Sequence, residues 1–195
     1  PTPSTMAQSF DDYATRGQEA MNSGNLEEAI RCYQHIVDKG KTYVNVLEVK
    51  FDLAWAYYMV GEYEKAIALF ADLSGIRAPS EDVKEQSTFL MAECYIRWGG
   101  TLEESSPERK KHLDKGIELH TKFQKDYPKN PNLAESFYGR GYGYFLYKRY
   151  NDAATDLLTL INTYKMSPSI REAQYLLASV YASQGRDAFK AGKKE

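Results

Sequence analysis

The sequence predicts an all-α chain built as a solenoid of antiparallel helix hairpins, with about four and a half repeats. Three observations carry this reading: small residues recurring at one period, aromatic residues locked to the same register, and short turns separating apolar helical patterns. Gly17, Ala54, Ala92, Gly141 and Ala178 follow one another at steps of 37, 38, 49 and 37 residues. Ala29, Ala66, Gly116 and Ala153 follow at steps of 37, 50 and 37. Each series contains one long step, and an insertion over residues 99–109 accounts for both. Tyr57, Tyr95, Tyr144 and Tyr181 each stand three residues after a small residue of the first series, and Tyr33 and Phe70 four after one of the second. Antiparallel helices approach closely only where one offers Gly or Ala to a bulky partner, so this alternation is what a stack of nested hairpins requires.

The elements follow in order. Residues 1–8 are polar, with two prolines, and read as a linker or boundary segment; residues 9–195 read as one repeat domain. The first hairpin pairs helices at 8–23 and 26–39, the second 44–60 and 63–74, the third 81–98 and 108–126, and the fourth 131–147 and 150–164. A lone helix is expected at 168–184, and the repeats run 10–43, 44–80, 81–130, 131–167 and an incomplete 168–195. Turns are expected at Ser23–Asn25, Val60–Tyr63, Tyr147–Tyr150 and Ser183–Gly185. Asn130-Pro131, Ser167-Pro168 and Ser106-Pro107 each place a capping residue before a proline at the first helical position. Ser80 with Glu81 and Asp82 marks another start, while Pro79 and Pro128 close preceding helices. The helix at 168–184 lacks a following partner, since only RDAFKAGKKE remains after Gly185. Either the chain continues, with Ala188 and Phe189 opening a further helix, or this helix pairs with another chain in self-association.

Composition excludes several function classes. Lys and Arg number 25 against 27 Asp and Glu, a net charge of −2, which gives no general attraction to nucleic acid or anionic lipid. No segment is apolar for long enough to span a bilayer. The insertion, GGTLEESSPERKKHLDKG, reads as a solvated extension; its Arg109, Lys110, Lys111 and Lys115 could meet an acidic partner, but Glu103, Glu104, Glu108 and Asp114 dilute that charge. Cys32 and Cys94 fall in helical patterns two repeats apart, where a thiol acts as small apolar filler, and no disulfide is expected. His35, His112 and His120 have no metal-ligand spacing to one another, and His120 falls where other repeats carry Tyr33 and Phe70, so a packed ring is expected. The glycines at 139–143 lie within a helix with no preceding strand, unlike a phosphate-cradling loop. The sequence gives no reason to expect an enzyme, a metal or a cofactor.

FDLAWAYYMVGEYEKAIALFADL, residues 51–73, resembles the tetratricopeptide repeat family in its small-residue, Tyr, Gly-x-Tyr, Ala and Phe pattern. The likeness extends over roughly residues 10–185 and implies a right-handed superhelical coil. The period of 37 exceeds the family's usual 34, which implies longer helices or longer connections. Tyr127-Pro128, Pro131, Tyr164, Pro168 and Ala173 are similar to the rhythm of the outer-membrane-assembly lipoprotein and the Tol-Pal-associated periplasmic members, and imply a bacterial envelope scaffold. The compartment is otherwise open.

The resemblance implies that first helices line a concave groove, through the positions three before, one after and four after each small residue. These are Phe51, Trp55 and Tyr58; Phe89, Glu93 and Ile96, with Arg97 one turn beyond Glu93; Tyr138, Tyr142 and Phe145; and Tyr175. Members that grip a chaperone's C-terminal carboxylate carry Lys and Asn at the first two of these positions; this chain does not. A peptide or helix with apolar or aromatic anchors is the partner such a surface fits. Two readings stand: a non-catalytic protein-interaction scaffold, and a substrate-recruiting or self-associating repeat domain of a larger enzyme or cytoplasmic protein.

Overall fold

The computed structural model describes residues 9–75 and 80–192, and among them nine helices follow one another: α1 (Phe10–Asn22), α2 (Leu26–Lys39), α3 (Val46–Met59), α4 (Tyr63–Gly75), α5 (Glu81–Thr101), α6 (Pro107–Asp126), α7 (Leu133–Leu146), α8 (Tyr150–Thr163) and α9 (Ile170–Gly192). No strand occurs among the described residues. The segment expected as a linker, the helix-closing part given to Pro79 and the last three residues lie outside them. Two compact units divide at Ser87 and Thr88, within α5.

Local chemistry sets the helix starts. Ser9 accepts from the Asp12 amide at 3.1 Å while the Asp12 carboxylate accepts from the Ser9 amide at 2.9 Å, a reciprocal box that satisfies two otherwise orphaned donors. Asn25 caps α2 by accepting from the Glu28 amide at 3.2 Å. Within hairpins the chain reverses in three residues, through a left-handed residue at Gly24 (φ 77°), Gly61 (φ 83°) and Lys148 (φ 60°). Each turn is closed by the same two amide bonds, as in Gly61 N to Tyr58 O at 3.1 Å and Glu62 N to Tyr57 O at 2.9 Å. A Cβ on Gly61 would meet nothing within 4 Å, so only the backbone resists a side chain there. Gly61→Ala is therefore expected to lower the stability of the first unit by about 1–2 kcal/mol, read from the urea midpoint.

Between hairpins the connection is longer and equally regular. Gly40, Tyr127 and Tyr164 each end a helix by donating to the carbonyl four residues back, at 2.7, 2.9 and 2.9 Å. Three residues on, Tyr43, Asn130 and Ser167 donate to those residues' carbonyls, and after three more, Val46, Leu133 and Ile170 donate to theirs. This double turn explains the period. A 14-residue helix, a three-residue turn, a 14-residue helix and a six-residue junction make the 37-residue unit that runs from Leu133 to Ser169. The double turn also corrects two expected caps. Pro131 and Pro168 stand two residues ahead of α7 and α9, inside the junction, because Asn130 Oδ1 accepts from Asn132 N at 2.8 Å and Ser167 Oγ from Ser169 N at 3.1 Å. Pro107, as expected, opens α6.

The small-residue sites are where helices touch. A Cβ on Gly17 would lie 2.5 Å from Tyr33 Cε1, and one on Gly116 2.6 Å from Ile96 Cδ1. Ala29, Ala54, Ala66, Ala92 and Ala153 are fully buried. Ala178 is the exception: it faces solvent, because no described helix follows α9 to cover it. For the same reason the turn expected at Ser183–Gly185 does not form. The helix continues to Gly192, with Asp187 accepting from Tyr150 Oη at 2.8 Å and Gln184 donating to Asn151 Oδ1 at 3.1 Å. The inserted residues lengthen both arms of the third hairpin, so α5 has 21 residues and α6 has 20.

Candidate protein-binding surfaces

In the first unit the expected groove residues sit on α3. Phe51 turns inward and packs its edge on Phe70, with ring centres 5.7 Å apart. Trp55 stacks on Tyr58 at 5.2 Å, and Tyr58 meets the edge of Tyr63 at 6.3 Å. Trp55 and Tyr58 are half-buried, and Met59 beside them is exposed. Two further residues of this unit carry perturbed polar groups: Tyr33, read from the sequence only as a packing ring, and Asp52, which it passed over. The Tyr33 hydroxyl is buried without a hydrogen-bond partner, and Asp52 is half-buried. Burial, then the neighbouring Glu48, raise the Asp52 carboxyl above the ordinary range; burial, then Asp52, raise the Tyr33 phenol. A half-buried carboxylate one turn before Trp55 was invisible to a pattern that sampled only three positions per helix.

In the second unit the expected residues separate. Phe89 and Ile96 are core, not groove: Phe89 packs on His120 and Phe123, and Ile96 fills the space opposite Gly116 and Gly143. Phe89 takes the inward position that Phe51 takes against Phe70, and Ile96 sinks into the space that Gly116 and Gly143 leave. Tyr138, Tyr142 and Phe145 lean on the cluster formed by Ala134, Ala153, Leu157, Leu160, Ala173, Leu176 and Val180 and show only part of their rings. Arg97 and Tyr175 are exposed, Tyr175 by 72%.

Glu93 joins an exposed charge to a buried chain of polar groups. Its Oε2 lies 3.8 Å from Arg97 Nε, and its Oε1 lies 3.2 Å from His120 Nε2. His120 Nδ1 in turn meets Ser136 Oγ at 3.1 Å. Carboxylate, imidazole and hydroxyl in sequence resemble a nucleophilic relay, but Ser136 and His120 are wholly buried, so no substrate reaches the hydroxyl. The His120–Ser136 hydrogen bond instead ties α6 to α7, while Glu93 approaches His120 Nε2 without a hydrogen bond; both lie against Gly139, where a Cβ would collide with Glu93 and His120. His120 is thus the packed ring expected from its register. The described residues hold no group of three or more His, Cys, Asp or Glu able to bind a metal ion, and no described helix is long and apolar enough to cross a membrane.

His112 reports on the extended hairpin. It stacks on Trp98 at 3.9 Å and on Tyr95 at 5.8 Å, and its Nδ1 is buried without a partner. Burial first, then Lys111, hold its pKa below 6.5, with Glu108 opposing. The folded state prefers the neutral ring, so the unfolded chain binds the proton more readily and stability falls as pH drops below 6.5. Above that value the penalty vanishes. The melting midpoint is expected to fall on acidification through this window, and His112→Phe to flatten that part of the profile.

Both cysteines are free and buried. Burial pushes the Cys94 thiol up to about 12 and also raises Cys32, as expected of apolar filler.

Comparison with known proteins agrees with this architecture. The tetratricopeptide repeat family model matches residues 15–81. No curated protein is a significant sequence match. Among solved structures, MamA of Desulfovibrio magneticus RS-1, from its residue 41 to the end, is similar with a TM-score of 0.67 and 14% identity, covering 97% of this chain and 94% of that one. A thermophilic TPR protein of Thermus thermophilus is similar with a TM-score of 0.64 and 19% identity, covering 91% and 84%. A second MamA structure gives 0.56 and 18%, covering 95% and 88%. Helix order, hairpin turns, small-residue contacts and these likenesses together give the chain the tetratricopeptide-repeat fold, and residues 15–81 match that family by sequence.

Proposed function

We propose that this chain is a non-catalytic scaffold that holds other proteins, taking apolar or aromatic side chains of a peptide or helix on the groove-lining faces of its first helices. The observation that carries this is the ring surface on α3: Trp55 stacked on Tyr58, with Met59 exposed beside them. Interfaces concentrate binding energy in such aromatic anchors. Tyr175 on α9 and the partly exposed rings of Tyr138, Tyr142 and Phe145 on α7 offer a comparable surface within the second unit. Selection of displayed random peptides against the full chain tests the reading. Enriched peptides carrying spaced aromatic or aliphatic residues are expected, and binding is expected to fail with Trp55→Ser/Tyr175→Ser while the melting temperature holds. Peptides that bind wild type and variant alike would refute it.

A second reading rests on α9. Ala178 occupies a register position that is buried in every preceding repeat, yet it is exposed together with Tyr175 and Tyr181. Self-association through this face predicts a mass that rises with concentration in light scattering and reverts to monomer in Ala178→Glu.

A bacterial envelope location, as opposed to a recruiting domain of a larger cytoplasmic protein, is supported by the sequence rhythm of Tyr127, Pro131, Tyr164 and Pro168. The double turn of the inter-hairpin junction gives those same residues a mechanical reason to recur. Fractionation of the native source decides between the compartments.

A further inference from the structure

The extension of the third hairpin builds a cleft that no other described repeat has the length to form. Beyond the end of α5 the chain turns through residues 102–106, and Arg109 fastens that tip in place. Its Nη1 donates to Leu102 O at 2.7 Å and its Nη2 to Leu146 O at 3.2 Å, so one guanidinium ties the tip to the end of α7. Tyr147 adds a second tie by donating to Asp114 Oδ1 at 2.7 Å, and Lys148 a third through its ion pair with Glu104. Two cavities of about 420 and 330 Å³ open side by side, and Glu104, Arg109, Leu146 and Lys148 line both. The insertion is therefore not merely a solvated arm.

The charge at this place opposes that of the chain. Arg109, Lys110, Lys148, Arg186 and Lys190 border the cavities, against Glu104 and Asp187. Both acids are already engaged, Glu104 by Lys148 and Asp187 by the Tyr150 hydroxyl. A cationic cleft thus sits on a chain of net charge −2. Its apolar floor comes from the half-buried Leu146. Lys148 also holds the left-handed conformation that Gly24 and Gly61 supply in other turns.

We propose that this cleft is a second binding site, for an extended acidic peptide segment carrying an apolar side chain. Carboxylates of the segment meet Arg186 and Lys190, and the apolar side chain rests on Leu146. The site borders the aromatic surface of the second unit at Phe145, but its cationic side chains are other residues and it does not rest on the assignment of that surface.

Fluorescence anisotropy of the full chain with a labelled peptide of alternating Glu and Leu, and with its Lys and Leu counterpart, tests the proposal. The acidic peptide is expected to bind, to release at high salt, and to lose at least about tenfold in affinity with Arg186→Glu/Lys190→Glu. Trp55→Ser/Tyr175→Ser is expected to bind it as wild type does. If the double charge reversal lowers the melting temperature, Lys190→Glu alone decides, since that side chain is exposed. Equal binding of both peptides, no binding of the acidic one, or no effect of charge reversal would overturn the site.

Discussion

Arg140→Met is expected to destabilise the second unit by about 3–5 kcal/mol, the largest loss of any single substitution considered. Arg140 Nε and Nη2 reach the two carboxylate oxygens of Asp156 at 2.7 Å each, and Nη1 lies 3.0 Å from Thr121 Oγ1. One fork thereby joins α6, α7 and α8. The guanidinium also lies over the Phe137 and Tyr144 rings at 5.7 and 5.9 Å, and the Asp156 side chain is 5% exposed. The pair itself is not the source of so large a loss, since desolvation offsets most of its attraction. What costs energy is the carboxylate left buried with no partner. Arg140→Met/Asp156→Leu should therefore recover most of the loss, because an apolar pair of similar volume leaves no buried charge. Urea unfolding of both variants measures this. A single-variant loss below about 1 kcal/mol would mean that water reaches Asp156.

The second large effect is a contrast between two positions that the sequence pattern treats as equivalent. Gly141→Leu is expected to cost about 1–3 kcal/mol or more, while Ala178→Leu is expected to stay within about 0.5 kcal/mol of wild type. A Cβ at 141 would already lie 3.2 Å from Leu157 Cγ and 3.4 Å from Asp156 Cβ, so the remaining atoms of a leucine must push α7 and α8 apart. That displacement also strains the Arg140 fork. Ala178 stands 37 residues on, in the same register, and faces solvent. Urea midpoints again give the answer. Equal losses at both positions would show that α9 is covered, and equal tolerance would show that small residues are not needed at hairpin contacts.

Much of the architecture was legible because the period is imposed by contacts. Gly17 must receive Tyr33, and Gly141 must receive Leu157, so their spacing repeats with the hairpins. Turns with Gly24 and Gly61 announced themselves through residues that accept a positive φ, and Lys148 shows that the position outlives the glycine. What failed were features set by the presence or absence of a neighbour. Ser183–Gly185 looked like another hairpin turn, but with no described helix to return along α9, the helix runs on. Pro131 looked like a first helical residue, yet Asn130 uses its side chain to fold the junction instead. The groove was the least legible part. Fixed offsets along a helix named Trp55, which is half-buried, and Tyr175, which is exposed, but also Phe89 and Ile96, which His120, Phe123 and the glycines at 116 and 143 receive into the core. Arg109 was read only as one charge of a solvated insertion, because the two partners it ties together are backbone carbonyls in separate elements.

Site-specific photo-crosslinking tests the scaffold reading most directly. Benzoylphenylalanine would be placed in turn at Trp55, at Tyr175 and, as a control on the outer face of α8, at Leu158, which is 38% exposed. With a display-selected peptide bound, the account predicts a crosslink from Trp55 or from Tyr175 and none from Leu158. Crosslinks from Leu158 with none from Trp55 or Tyr175 would contradict it.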